Sequence, residues 1–382
     1  MTDSVTDPRT DPRTDPRTAG AAAPELPYTL VADVDTGIDD ALALLWLASL
    51  HRRKEIDLHV TTVAGNTTAA TAARNSREVL QVAGVPEVPV TVGAGRPRVL
   101  PLTTTPETHG PGGLGYRVPA SPATGTGEAE GTGDPGDPGD AVAAWEAASP
   151  DRILVAGPAT NLAWAVEHRP EVLRGTRVTL MCGAFLYPGN TTPTAEWNAW
   201  SDPHALAYCL DNWPASAPLP QICPLNVTET VLLTPQRLEE WTAAAPAEVG
   251  VLLDELLRFY MEFHRSVGVG YVAQIHDLAA ATVLCSAVPA EFRDATVRVA
   301  LGDDLVRGTT VADWTGATAQ GDGRCAGTGP DPCIQGGLQG ARNTEPATGP
   351  YWGRPANARI LTGLDPETVF ARFREALTAP AG

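Results

Sequence analysis

Residues 28–50 read YTLVADVDTGIDDALALLWLASL, passing from a short apolar run into an apolar helical stretch. Tyr28 to Val34 has the length and composition of a buried strand. Gly37 permits a tight turn, and Asp39 and Asp40 stand where the positive end of a helix favours acidic side chains. Beyond this stretch the same alternation recurs: LHVTTVAG before TAATAARNSREVLQVAG, then VPVTV, RILVAG before TNLAWAVEH, RVTLMCGA before DPHALAYCLDN, and finally ARILTG before DPETVFARFREAL. Apolar runs alternating with helical patterns predict an α/β fold with a mainly parallel central sheet and flanking helices. A β-rich stretch, ATVRVALGDDLVRGTTVADW, precedes the last unit. Ligands of such sheets sit at the carboxyl ends of the strands, so functional residues are sought at strand-to-loop transitions.

The chain has 382 residues, 43% of them hydrophobic, enough for a sizeable core. No apolar run reaches the roughly 18 residues of a membrane span, so a soluble protein is expected. A formal net charge of -18 argues against nucleic acid and anionic membranes as partners, because both attract clustered Lys and Arg, and the single lysine is Lys54. Cys182, Cys209, Cys223, Cys285, Cys325 and Cys333 form no CxxC pair, and several lie in apolar stretches, which fits free thiols in a reducing cytoplasm. The first twenty residues are polar and Pro-rich, without the apolar segment of a signal peptide. Residues 6–18 repeat Thr-Asp-Pro-Arg three times, and proline at every fourth position without an apolar residue neither nucleates a helix nor buries a core. Residues 1–26 are therefore expected to be a disordered tail, and residues 27–382 one domain with low-complexity insertions at about 121–140 and 316–350. The first insertion follows a His-Gly segment and reads as a lid or a plain loop.

Asp33, Asp35, Asp39 and Asp40 lie within eight residues. Asp33 and Asp35 share a strand face by the period-two rule, while Asp39 and Asp40 open the helix. Crowded carboxylates repel, and a hard cation relieves this: calcium or magnesium takes carboxylate oxygens and acidifies the water it retains. A carboxylate outside the metal shell could then act as a base. One aspartate here would ordinarily be a helix cap, a reading that four strain. A strand followed by Asp-x-Asp also opens the magnesium-dependent phosphoaspartyl hydrolases of the haloacid dehalogenase type, with Asp33 as nucleophile. That chemistry needs a mid-chain lysine and a second acidic motif. Lys54 sits too early, although Gly302-Asp303-Asp304 imitates the acidic motif.

Other clusters add to this. Asn66, after the second strand, could bond a ligand hydroxyl or simply form a turn or helix cap. GNTTPTAEWN, residues 189–198, gathers Asn190, Glu196 and Asn198. If extended, Glu196 and Asn198 face one way and Trp197 the other, and a carboxylate flanked by carboxamides suits a polyol such as ribose. His276-Asp277 opens another apolar helix, where Asp277 alone reads as a cap. Combined with the first motif, Asp277 becomes a further metal ligand and His276 a general acid titrating near neutral pH.

Together DVDTGIDDALAL, VTTVAGNTT, HGPGGLG, LVAGPATNLA, the GN...PTAEWN block, PLNVT and HDLAA resemble the inosine-uridine-preferring nucleoside hydrolase family, over residues 28 to about 314 and again from 357. Each block is short, but their order and spacing are highly specific. The resemblance implies a single domain with a Rossmann-like core, a homo-oligomer (dimer or tetramer) in the cytoplasm, and a role in nucleoside salvage. The activity implied is calcium-dependent hydrolysis of ribonucleosides to ribose and free base. By the same resemblance, Ca2+ is held by Asp35, Asp40, Asp277 and the backbone carbonyl of Ala156. Asp39 serves as base and Asp33 as a supporting residue. Asn66, Asn190, Glu196 and Asn198 bind ribose hydroxyls, and Met181 lies under the sugar. His276 assists departure of the base, and His109 lies close to it. Tyr260 and His264 could reach the base or pack the core. Three departures, Thr36 for a frequent proline, Asn226 for a common aspartate and Gly112 at an often polar position, bear on substrate preference more than on metal binding. A ribonucleoside-binding protein without catalysis is the remaining alternative.

Overall fold

Tyr28–Val34 forms β1 and Ile38–Arg52 forms α1, the first unit of the architecture. The structure, a computed structural model, describes residues 27–118, 136–302, 305–314, 352 and 354–378. Side chains of β1 alternate as a two-residue period requires: Leu30, Ala32 and Val34 enter one apolar cluster, and Val31 enters another on the opposite face. Next come β2 (Ile56–Thr62), α2 (Ala69–Val82), β3 (Val90–Val92) and a short α3 (Pro106–His109). The chain returns beside β1 through α4 (Pro138–Ala148) and β4 (Arg152–Val155). It continues with α5 (Thr160–His168), β5 (Arg177–Met181), α6 (Trp197–Ser201), α7 (Pro203–Asp211) and β6 (Gln221–Cys223). A helical excursion follows: α8 (Leu225–Thr228), β7 (Leu232–Leu233), α9 (Pro235–Ala244), α10 (Ala247–Ser266), β8 (Ala273–Gln274) and α11 (Asp277–Leu284). The remaining elements are β9 (Ala290–Val299), β10 (Thr310–Asp313), β11 (Ala358–Leu364) and α12 (Pro366–Thr378).

Among the described residues, the main sheet has nine strands in the order β10-β9-β11-β6-β5-β4-β1-β2-β3. From β11 to β3 every neighbouring pair is parallel, and β9 runs antiparallel to both β10 and β11. The β-rich stretch thus supplies an antiparallel edge. Its alternating exposure contrasts with the fully buried β4, as expected when only interior parallel strands are covered on both faces. One core packs α1, α10, α11 and α12 against the sheet around Trp46, Trp241 and Phe373; the other packs α4, α5 and α7 around Trp145, Leu162 and Leu206.

The order of connection reverses between the adjacent strands β1 and β4: β1 leads to β2 on one side, β4 to β5 on the other. Divergent loops at such a point leave a crevice outside the carboxyl ends of the strands. Asp35 follows β1, Asn66 follows β2, Ala156 follows β4 and Met181 ends β5, so four separate segments of sequence deliver side chains to one place.

The proposed tail at 1–26, the insertion at 316–350 and Asp303-Asp304 lie outside the described residues, as do residues 119–135. Of the first insertion, residues 136–140 are described. Asp137 accepts a hydrogen bond from the Gly139 backbone N at 2.7 Å, and Pro138 opens α4, because proline suits the first helical position. Cys182, Cys209 and Cys223 are buried free thiols and Cys285 is half-buried; Cys325 and Cys333 lie outside the described residues. No described helix is long and apolar enough to cross a membrane.

Candidate active site

Four carboxylates converge at the crevice. Asp35 accepts from the Asn66 backbone N at 2.6 Å and from its Nδ2 at 3.1 Å. Asp40, in the first turn of α1, accepts from the N–H of Gly37, the residue before the helix, at 2.8 Å and from Asn66 Nδ2 at 3.3 Å. Asp40 therefore does cap its helix, yet its Oδ1 remains buried without a partner. One oxygen from each of Asp39, Asp40 and Asp277 lies within 4.8 Å of the others. All four carboxyls are held above the ordinary carboxylate range. Burial and then Asp40 push Asp39 to about 7, burial pushes Asp40 to about 6, and burial with neighbouring acids raises Asp35 and Asp277. Buried acids that resist ionising together present an electrostatic demand for a cation. The donors are all oxygens and one buried carboxylate oxygen is unpartnered, so the cluster fits a hard divalent ion.

The loop after β2 passes so close to this cluster that a Cβ on Gly65 would lie 2.1 Å from Asp35 Oδ2 and 2.7 Å from Pro158. Gly65→Ala is expected to displace Asp35 and weaken divalent-cation affinity by about ten- to a hundredfold in a calorimetric titration. Gly112→Ala, whose Cβ meets nothing within 4 Å, should leave that affinity unaltered.

Asp33 has a different position. Its Oδ1 accepts from Thr61 Oγ1 at 2.7 Å and Asn161 Nδ2 at 2.8 Å, and Trp145 Nε1 donates to Thr61 Oγ1 at 3.0 Å. These bonds tie β1 to β2 and α5. The carboxyl, pushed up to about 6 by burial, is fully enclosed and absent from the wall of the cavity described next. A nucleophile must meet its substrate, so this placement goes against the phosphoaspartyl reading.

A cavity of about 560 Å³ opens above the acids. Asp39, Asn66, His109, Ala156, Met181, Asn190, Glu196, Asn198, His276 and Asp277 all reach its wall, whereas Asp33, Asp35 and Asp40 do not. The 189–198 block does not run extended to its end. Glu196 caps α6, its carboxylate accepting from the backbone N of Asn198 at 2.7 Å, Ala199 at 3.0 Å and Gly183 at 2.9 Å. Three of roughly four acceptor sites are thereby filled, and one is left. Asn198 donates both amide hydrogens inward, to the carbonyls of Ala156 at 2.6 Å and Met181 at 3.0 Å, while its Oδ1 is buried and unpartnered. Asn190 is the reverse: its Oδ1 accepts from Trp197 N at 2.9 Å, leaving the NH2 available. The set presents acceptors at Glu196 and Asn198 and a donor at Asn190, a sharper division than the residue types alone convey. Asn66 does not cap α2, a role taken by Thr68; its side chain instead holds Asp35 and Asp40.

Three histidines also line the cavity. His109 Nδ1 accepts from the Ile38 N–H at 3.1 Å, which assigns the proton to Nε2, and burial followed by His264 lowers its pKa to about 3. His276 Nδ1 pairs with Thr228 Oγ1 at 2.9 Å. It does not titrate near neutrality as expected: burial, then His264 and His109, push it down to about 3. Tyr260 and His264 both line the cavity while packing in the interior. Phe263, Glu229, Gln274, Val267 and Val269 also line it and are not singled out from the sequence. Tyr260, Phe263 and His264 on α10 and Val267 just after it recur at helical spacing, a signal that in sequence reads equally as core. Of the departures, Thr36 Oγ1 bonds Ser76 Oγ at 2.7 Å. Asn226 grips the backbone of Phe185 through Oδ1 at 2.9 Å and Nδ2 at 2.7 Å, a pair of bonds an aspartate could not make.

The sequence matches the family profile described as inosine-uridine preferring nucleoside hydrolase over residues 30–371. The chain belongs to this family. It is a nucleoside hydrolase, acting on the N-glycosyl bond of ribonucleosides. The inosine-uridine preferring nucleoside hydrolase of Crithidia fasciculata is 28% identical over 291 residues, covering 76% of this chain and 89% of the relative. The pyrimidine-specific ribonucleoside hydrolase RihA of Shewanella baltica is 30% identical over 302 residues, with 76% and 89% covered. A plant nucleoside hydrolase of known structure superposes with a TM-score of 0.70 at 24% identity, covering 93% of this chain and all of the other, which shows a shared fold.

Proposed function

We propose that this chain cleaves ribonucleosides to ribose and free base with calcium as its cofactor and Asp39 as its general base. One observation carries the reading: Asp39 and Asp277 of the acid cluster border the same cavity as Asn190, Glu196 and Asn198. Asp35, Asp40, Asp277 and the Ala156 carbonyl would hold the ion. Bound there, calcium would supply a positive charge that makes nearby water more acidic. Asp39 is on the cavity wall with a carboxyl near 7, a value suited to accepting a proton from attacking water. The water adds to the anomeric carbon as the sugar takes on oxocarbenium character. Glu196 and Asn198 accept from ribose hydroxyls, Asn190 donates to one, and Met181 forms the apolar floor under the ring. Asn66 positions the acids and Asp33 braces the strand that carries them. His276, neutral at pH 7, donates a hydrogen bond to the departing base, with Thr228 fixing its ring; His109 offers a second donor. The resemblance further supports a soluble cytoplasmic homo-oligomer, a state that sedimentation would establish.

A reducing-sugar assay on purine and pyrimidine nucleosides, with chelator and with calcium restored, tests this. Ribose release that stops with chelator and returns with calcium is expected. Nucleoside binding without ribose release would leave only a binding protein.

A further inference from the structure

The loop after β5 lines the cavity through Pro188 to Thr191 and is fastened to one short turn. Asn226 holds Phe185, and the Tyr187 hydroxyl donates to Glu229 Oε2 at 2.7 Å. Thr228, between these two anchors, places His276. Glu229 therefore stands on the cavity wall beside the residue that meets the departing base, held through one oxygen, with Oε1 left for a ligand.

Gln274 lines the same cavity. His264 Nδ1 faces the Tyr260 carbonyl at 2.8 Å, and a carbonyl only accepts, so Nδ1 bears the proton of the neutral ring. Nε2 then accepts, and since the atom 3.2 Å away is Gln274 Oε1, also an acceptor, we assign the amide the opposite orientation, with its NH2 toward His264 and its carbonyl oxygen turned away. Two acceptors, one of them a carboxyl, thus border the base end. Guanine carries two adjacent donors, N1–H and the exocyclic amino group, which match Glu229 Oε1 and the second lone pair of Oε2, the first being taken by Tyr187; hypoxanthine lacks the amino group.

We propose that Glu229, held by Tyr187, is a specificity-determining residue that reads the donor edge of the nucleobase and favours guanosine over inosine. The proposal rests on the nucleoside hydrolase reading of this cavity. A site built to bond a substrate N–H discriminates against the analogue that lacks it, because its own polar group is left unpaired.

The test is kcat and KM for guanosine and inosine with the calcium-loaded wild type, Glu229→Gln and Tyr187→Phe. For the wild type, kcat/KM for guanosine should exceed that for inosine by about tenfold. Glu229→Gln should remove most of this preference, mainly through a raised KM for guanosine, and Tyr187→Phe should lower it by a smaller factor. A thermal melt of each variant against the wild type serves as the check on folding. An unchanged guanosine-to-inosine ratio in Glu229→Gln would overturn the proposal, as would a wild type that prefers inosine or spares guanosine. A wild type that hydrolyses no nucleoside would instead overturn the reading of the site itself.

Discussion

Asp39→Asn is expected to lower kcat for ribonucleoside hydrolysis by about a thousandfold, the scale of losing a positioned general base. The substitution keeps the size and polarity of the side chain and removes only its basicity. Asp39 opens to the cavity, whereas Asp40 is wholly enclosed and spends one oxygen on the N–H of Gly37 and on Asn66. Asp39 also raises the carboxyls of Asp277 and Asp35, so neutralising it relieves repulsion. The variant should therefore melt at a temperature equal to or above that of the wild type when both are free of divalent ions, and should still bind nucleoside. Rapid-quench turnover, a nucleoside titration and a thermal melt separate these effects. Near-normal turnover would remove Asp39 as the base, and a collapsed melting temperature would make it a structural acid.

Much of this site was legible because its residues fall where short-range rules apply. The run Tyr28 to Val34 followed by an acid-capped apolar stretch fixes β1 and α1, and the repeated alternation fixes a parallel sheet. A parallel sheet in turn brings the residues after β1, β2, β4 and β5 together. What escaped depends on quantities summed over distant segments. The low pKa of His276 arises from burial and from His264 and His109, which lie on α10 and α3. The partners that enclose Asp33, Thr61 and Asn161, are separated from it by 28 and 128 residues. Glu196 looked like a free ligand group because its capping of α6 depends on a loop conformation that no periodicity encodes.

Removing divalent cations should abolish turnover and leave a protein that becomes less stable as pH rises through about 7. An unfolded aspartate titrates near 3.9, whereas folding raises Asp39 to about 7 and Asp40 and Asp33 to about 6, and raises Asp35 and Asp277 as well. A raised folded-state pKa means the native protein binds these protons more tightly. The associated stability is complete below about pH 4 and is lost as pH rises through the folded values to about 7. His109 and His276 act in the opposite sense: their folded pKa values of about 3 give stability that is present above about 6.5 and lost as pH falls. The two trends oppose each other in acid, but above about 6.5 the histidines contribute no further change. From pH 6.5 to 8, the melting temperature of the chelated protein should therefore fall. Calcium binding must displace the remaining protons, so its stabilisation should grow over the same interval, reaching about 4 kcal/mol when the ion exceeds its Kd a thousandfold. Differential scanning fluorimetry at constant ionic strength, with chelator or with calcium, measures both trends. A calcium-induced rise in melting temperature that is larger at pH 6 than at pH 8 would show that the acids ionise without the ion, and would detach the cluster from cation binding.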